Sequence, residues 1–98
     1  MQYNVPVARR QALIVEASGE RFRFYYDSGP VEILHITLQH GTKPEDAIRT
    51  FVEGVTLPWD ESRLRFDTRT ATHGLLWTRH AFDKSVIVIS CFKRGEEK

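Results

Sequence analysis

One stretch of this 98-residue chain carries a helical period, and both of its flanks carry the period of a β-strand. Ile48, Phe51, Val52 and Val55 recur at i, i+3, i+4 and i+7, which draws an apolar stripe down one side of a helix. Thr42 with Glu45 three residues on reads as a capping box, and Pro44 falls in the first turn, where a missing N–H costs little. Glu45 and Arg49 sit one turn apart on the outer face, and Gly54 is a natural stop. The spacing predicts one helix from Pro44 to Glu53. An amphipathic helix must bury its stripe against something, and here only sheet is on offer.

The strands are read from alternation. Ala12-Leu13-Ile14-Val15 is a short apolar, β-branched run, and Ser18-Gly19-Glu20 supplies a tight turn. Arg21 to Tyr26 then alternates, with Phe22, Phe24 and Tyr26 on one side and Arg21, Arg23 and Tyr25 on the other. After Asp27-Ser28-Gly29-Pro30, the segment 31–40 carries two periods. Leu34, Ile36 and Leu38 alternate as in a strand, whereas Val31, Leu34 and Leu38 fit a helical stripe that stops at Gly41. The β-branched content favours the strand. Beyond the helix, Leu64, Phe66, Thr68 and Thr70 alternate with Arg63, Arg65, Asp67 and Arg69, and a turn at His73-Gly74 leads to Leu75–Arg79. Val86 to Phe92 is apolar on both faces and belongs inside the sheet. The expected fold is α+β in the order β-β-β-α-β-β-β, a curved antiparallel sheet packed on one helix. Residues 1–98 make a single domain, with 1–10 a polar leader and 93–98 a charged tail.

Composition excludes several classes. With 41% hydrophobic and 28% charged residues the chain can build a core, and a net charge of +1 provides no global field for nucleic acid or an anionic membrane. Any such binding needs a local patch. Cys91 is the one cysteine, so no internal disulfide forms, which suits a reducing compartment. Met1 to Pro6 lacks the basic-then-apolar pattern of a secretory signal. No apolar run approaches the roughly 20 residues that span a bilayer. A cytoplasmic protein without membrane contact is expected.

Few residues group as chemistry would require. Leu34-His35-Ile36-Thr37-Leu38 resembles one arm of the two-histidine phosphoesterases, in which two His-x-Thr arms face each other and each histidine exchanges a proton with the phosphodiester. The resemblance covers five residues and implies roles for His35 and Thr37. Neither His73-Gly74-Leu75 nor His80-Ala81-Phe82 supplies a second arm, because neither has a hydroxyl two positions on. His35 and His40 have no metal-ligand spacing, so no metal site is expected. Cys91 lies in an apolar strand, where a thiol behaves as a small hydrophobe. No glycine-rich phosphate loop or nucleophile elbow appears, and no cofactor is expected.

Two readings remain. The chain is 11% aromatic, and one helix covers only one face of so much sheet. Phe22, Phe24, Phe51, Phe66 and Phe92 are assigned to the core, while Tyr25, Trp59, Trp77 and Phe82 are candidates for an exposed patch of the kind that marks interfaces. This gives the first reading, a non-enzymatic domain that homodimerises through its sheet and binds another protein or a small ligand. The second uses Arg63, Arg65, Arg69 and His73, which share one parity, with Arg79 on the hairpin partner. Guanidinium groups there would hold phosphates, Trp77 and Tyr25 would stack on bases, and His73 or His80 would serve in acid–base catalysis. Small ribonuclease toxins use a similar inventory, although no motif ties this chain to one of their families. Alternating arginines are equally what a solvated sheet face looks like.

Overall fold

A computed structural model describes residues 12–27 and 33–95, so the leader at 1–10, part of the segment 31–40 and the last tail residues lie outside the described residues. The chain opens on the expected hairpin, β1 (Ala12–Ala17) and β2 (Glu20–Tyr25), with Ala17 facing Glu20 across the turn. Ser18 and Gly19 both take positive φ, 54° and 77°, the conformation of a two-residue type I′ turn.

The strand expected over 31–40 is instead a helix, α1 (His35–His40). Leu34 makes one isolated bridge to Tyr26 and then becomes the N-cap, in extended conformation. Gly41 ends the turn at φ 70°, donating its N–H to the Thr37 carbonyl at 2.9 Å. Thr42 is fully buried and donates its hydroxyl to the Cys91 carbonyl at 2.8 Å. That anchor fixes where the helix must end. Of the alternating set, Ile36 is buried in the core, Leu34 packs against it half-buried, and Leu38 is left exposed.

The second helix, α2 (Pro44–Glu53), has the expected bounds but another cap. Lys43 is the N-cap, its N–H donating to Asp46 Oδ2 at 2.9 Å, because Thr42 is committed to Cys91. Arg49 pairs with Asp46 at 2.8 Å rather than with Glu45. Ile48 and Phe51 pack inward beside buried Ala47 and Thr50, whereas Val52 and Val55 are exposed.

Four strands follow in a meander: β3 (Val55–Thr56), β4 (Phe66–Arg69), β5 (His73–Arg79) and β6 (Val86–Lys93). The alternation expected from Arg63 begins late, because Leu64 sits in a turn at φ 58°. The sheet order is β1-β2-β6-β5-β4-β3. β6 lies inside it, as its apolar faces require. The expectation of a wholly antiparallel sheet is corrected at one ladder, since β2 and β6 run parallel from Phe22↔Val86 to Phe24↔Val88. The chain leaves β2, crosses through both helices, meanders back and closes against β2 in the same direction. Among the described residues the order is β-β-α-α-β-β-β-β, an α+β fold with a mixed six-stranded sheet and two helices.

Both helices sit on one face. Ile36 and Ala47 share a core with Phe22, Phe24, Leu75, Trp77, Val86, Val88 and Cys91. Phe51 meets Phe22 edge-on at 5.2 Å and Trp77 at 4.9 Å, and Phe66 stacks on Trp77 at 4.5 Å. Such ring pairs contribute about 0.5–1.5 kcal/mol each beyond their burial. Trp77 is 5% exposed and its indole N–H donates to Thr68 Oγ1 at 2.8 Å, so it belongs to the core and leaves the expected patch.

Candidate functional site

Alternation along each strand sends every second side chain away from the helices. The register aligns them in rows. Ile14, Arg23, Ile87 and Thr78 form one, Asp67, Leu76 and Ser90 a second, and Val55, Arg69, Gly74 and Phe92 a third. Ile14 and Ile89 are 42% and 37% exposed on this side. No described helix covers it.

Most of the described charges on and around this face are matched within the chain. Arg23 pairs with Asp83 and donates to Ser85 Oγ at 2.7 Å. Arg21 meets Glu16 at 2.8 Å, and Arg69 meets Asp67 at 3.0 Å while its guanidinium lies 5.8 Å over the Phe92 ring. Hydrogen bonds from the Ser85 hydroxyl and amide, then from Arg23, hold the Asp83 carboxyl well below the usual carboxylate range. The same contact with Asp83 raises Arg23.

The arginines and histidines singled out in the sequence do not converge. Arg63 is in the turn after β3, bound to Asp60 at 3.3 Å, and Asp60 is held low by the Ser62 hydroxyl and the Arg63 amide. Arg65 and Arg69 lie on the helix-free side, and Arg65 makes no ion pair among the described residues. Arg79 shares the parity of Trp77, on the helical side, with its guanidinium 5.3 Å from that ring. It donates to both Glu20 oxygens, at 2.7 and 3.1 Å, and this contact lowers Glu20 and raises Arg79. His73 begins β5 and Arg79 ends it, about 20 Å apart at roughly 3.3 Å per residue.

The histidines are equally scattered. His73 Nδ1 meets Thr72 Oγ1 at 2.8 Å. His80 Nδ1 accepts the Phe82 N–H at 3.1 Å and so caps its own turn. His35 starts α1, 3.5 Å from Asp27. Two residues apart on a helix is about 200° of rotation, so His35 and Thr37 do not form the paired arm a strand would give. Thr37 instead donates to the Thr42 carbonyl at 2.6 Å. Burial pushes the Cys91 thiol up to about 11. Among the described residues no group of three or more His, Cys, Asp or Glu is placed to hold a metal ion.

Tyr25 is half-buried beside Arg23, Trp59 is 39% exposed and leans on Phe66 at 4.9 Å, and Phe82 stands 89% exposed at the tip of the β5–β6 turn. At that end of the sheet lies an open cleft of about 670 Å³, lined by Glu16, Glu20, Arg21, Arg79, Asp83 and Lys84. Sequence reasoning missed this cluster. Arg23 and Asp83 stand 60 residues apart, and nothing local in the sequence links them.

Comparison with protein-family models, with curated proteins and with solved structures finds no match. No helix among the described residues is long and apolar enough to cross a membrane.

Proposed function

We propose that this chain is a non-enzymatic interaction domain that self-associates through its sheet. The observation that carries the reading is that, among the described residues, two helices shelter one face of a six-stranded sheet and none covers the other. A second copy is a fitting partner for this sheet because most of the described charges around its helix-free face are paired within the chain. A two-fold interface sets each patch against itself, and a patch of one sign would repel its own image. Here Arg21, Arg23 and Arg69 each carry their own acid. The dimer presents two helix-free faces for a further protein partner, whose ordinary mixed surface suits them better than a polyanion.

The RNA-directed reading has Arg65, which makes no ion pair among the described residues, and its other arginines would have to abandon Asp60, Asp67 or Glu20 to reach phosphate. Sedimentation equilibrium of the whole chain separates the two. Self-association that changes little between low and moderate salt is expected. A monomer at every concentration, together with RNA binding that falls steeply as salt rises, replaces this reading with the other.

A further inference from the structure

The sheet has two edges, and they differ. β3 is two residues long and Pro58 follows it, which removes a donor and blunts that edge. β1 is six residues, Ala12–Ala17, paired on one side by β2 and, among the described strands, by nothing on the other. It carries no proline, no lysine and no bulge, the devices by which edge strands resist pairing.

The hairpin dictates which main-chain groups β1 turns outward. In a two-residue turn the closing pair, Ala17 and Glu20, exchanges both hydrogen bonds, and the pattern then alternates along the ladder. Val15 and Leu13 therefore spend their N–H and C=O on β2. Ala12, Ile14 and Glu16 aim theirs at the open edge.

We infer that two copies of this chain pair antiparallel through β1, with the two-fold axis at Ile14, joining their sheets into one. The inference rests on the self-association proposed above and names the surface that makes it. In this register Ile14 meets the partner's Ile14, Ala12 meets the partner's Glu16, and each pair closes with a reciprocal N–H···O=C exchange. Leu13 and Val15 meet crosswise on the helical side, where both already pack against the core. An axis shifted by one residue along the pairing sum sets outward groups against inward ones and turns side chains to the wrong face. An axis at Glu16 sets like charges opposite each other, which destabilises a ladder. An axis at Val15 leaves Ala12 without a partner. The axis at Ile14 uses every outward group and sets each Glu16 against a small neutral residue. Because β3 is closed to pairing, the contact ends at two copies instead of growing into a fibre.

The register is tested by charge at Ala12. Ala12→Lys places an ammonium opposite the partner's Glu16 twice per dimer, and Ala12→Glu places a like charge there. Cross-strand charge pairs predict a Kd about 2- to 30-fold tighter for Ala12→Lys and weaker for Ala12→Glu. The double variant Ala12→Glu with Glu16→Lys returns towards the parent. Circular dichroism checks that each variant folds. Ile14→Cys gives an independent readout. A short bismaleimide should join two chains at the axis, while Ile89→Cys, on the face, should not be joined and buried Cys91 stays silent. A parent dimer indifferent to charge at Ala12 and unlinked at Ile14 overturns edge pairing and leaves self-association standing. A parent chain that is monomeric throughout overturns both.

Discussion

Gly74 sits mid-sheet where a side chain would have no room. A Cβ built there would come within 2.5 Å of the Phe92 ring, which lies across the glycine on the side without helices. The Arg69 guanidinium lies 5.8 Å from the centre of that ring and the His40 ring 6.1 Å from it, and between these neighbours Phe92 is buried. Overpacking of this kind costs about 1–3 kcal/mol. Gly74→Ala is therefore expected to lower the unfolding free energy in urea by that amount, seen as a lower midpoint with an unchanged slope, and Phe92→Leu in the same chain to recover part of it. An unaltered midpoint for Gly74→Ala would mean the ring moves aside freely. Thr42 is the other residue on which local structure turns. Its hydroxyl donates to Cys91 and lies 3.3 Å from the Ile36 carbonyl. Thr42→Val keeps the shape and strips a buried acceptor of its donor, a loss of about 1–3 kcal/mol in chemical denaturation. A hydroxyl of no consequence would give superimposable curves.

At the scale of elements, the parallel ladder between β2 and β6 is the closure of the fold, and it is short. Ion pairs brace its end: Arg23 reaches Asp83 and Ser85 just before β6, and Arg79 clasps Glu20 at the start of β2. Asp83 and Glu20 are both depressed in the folded state, from ordinary values of 3.8 and 4.5. A depressed carboxylate contributes its full stability above its unfolded pKa and loses it as pH falls through the folded one. The melting temperature should thus hold from neutrality down to about pH 5 and drop below about pH 4. Asp83→Asn should melt earlier at neutral pH yet lose less on acidification, and equal losses in both proteins would exclude Asp83 as a source. These braces also show why some elements were legible in the sequence and others were not. The β1–β2 hairpin and α2 are written in neighbouring residues, by Ser18-Gly19 and by the Ile48/Phe51 stripe. The α1 segment carries two competing periods, and the contact that favours the helix, Thr42 with Cys91, lies 49 residues along the chain, where no local pattern reaches. The arginines do not share one face for a related reason. The positive φ of Leu64 interrupts the alternation between Arg63 and Arg65, and the acids that pair with Arg63 and Arg79 come from a turn and from β2.

At the scale of the whole molecule, a small domain buries a modest fraction of its chain, so a surface shared with a second copy is a sizeable addition to its stability. Self-association then leaves a mark that needs no variant. A partner that binds the folded chain and ignores the unfolded one makes the melting temperature depend on protein concentration. For a dimer of 98-residue chains that unfolds to two coils, an unfolding entropy of about 2.1 cal/mol/K per residue gives a rise of roughly 3–4 °C for each tenfold increase in concentration. A monomer gives none. The same titration in high salt discriminates the forces involved. Main-chain pairing at β1 and contact between Ile14 side chains are insensitive to screening, and the nearby ion pairs lie within one chain and stay there on association. The concentration slope should therefore survive salt, whereas a dimer assembled by charges reaching across the interface would lose it. A melting temperature flat over a hundredfold range of concentration would return the open edge and face to solvent, and the domain with them to the status of a monomer.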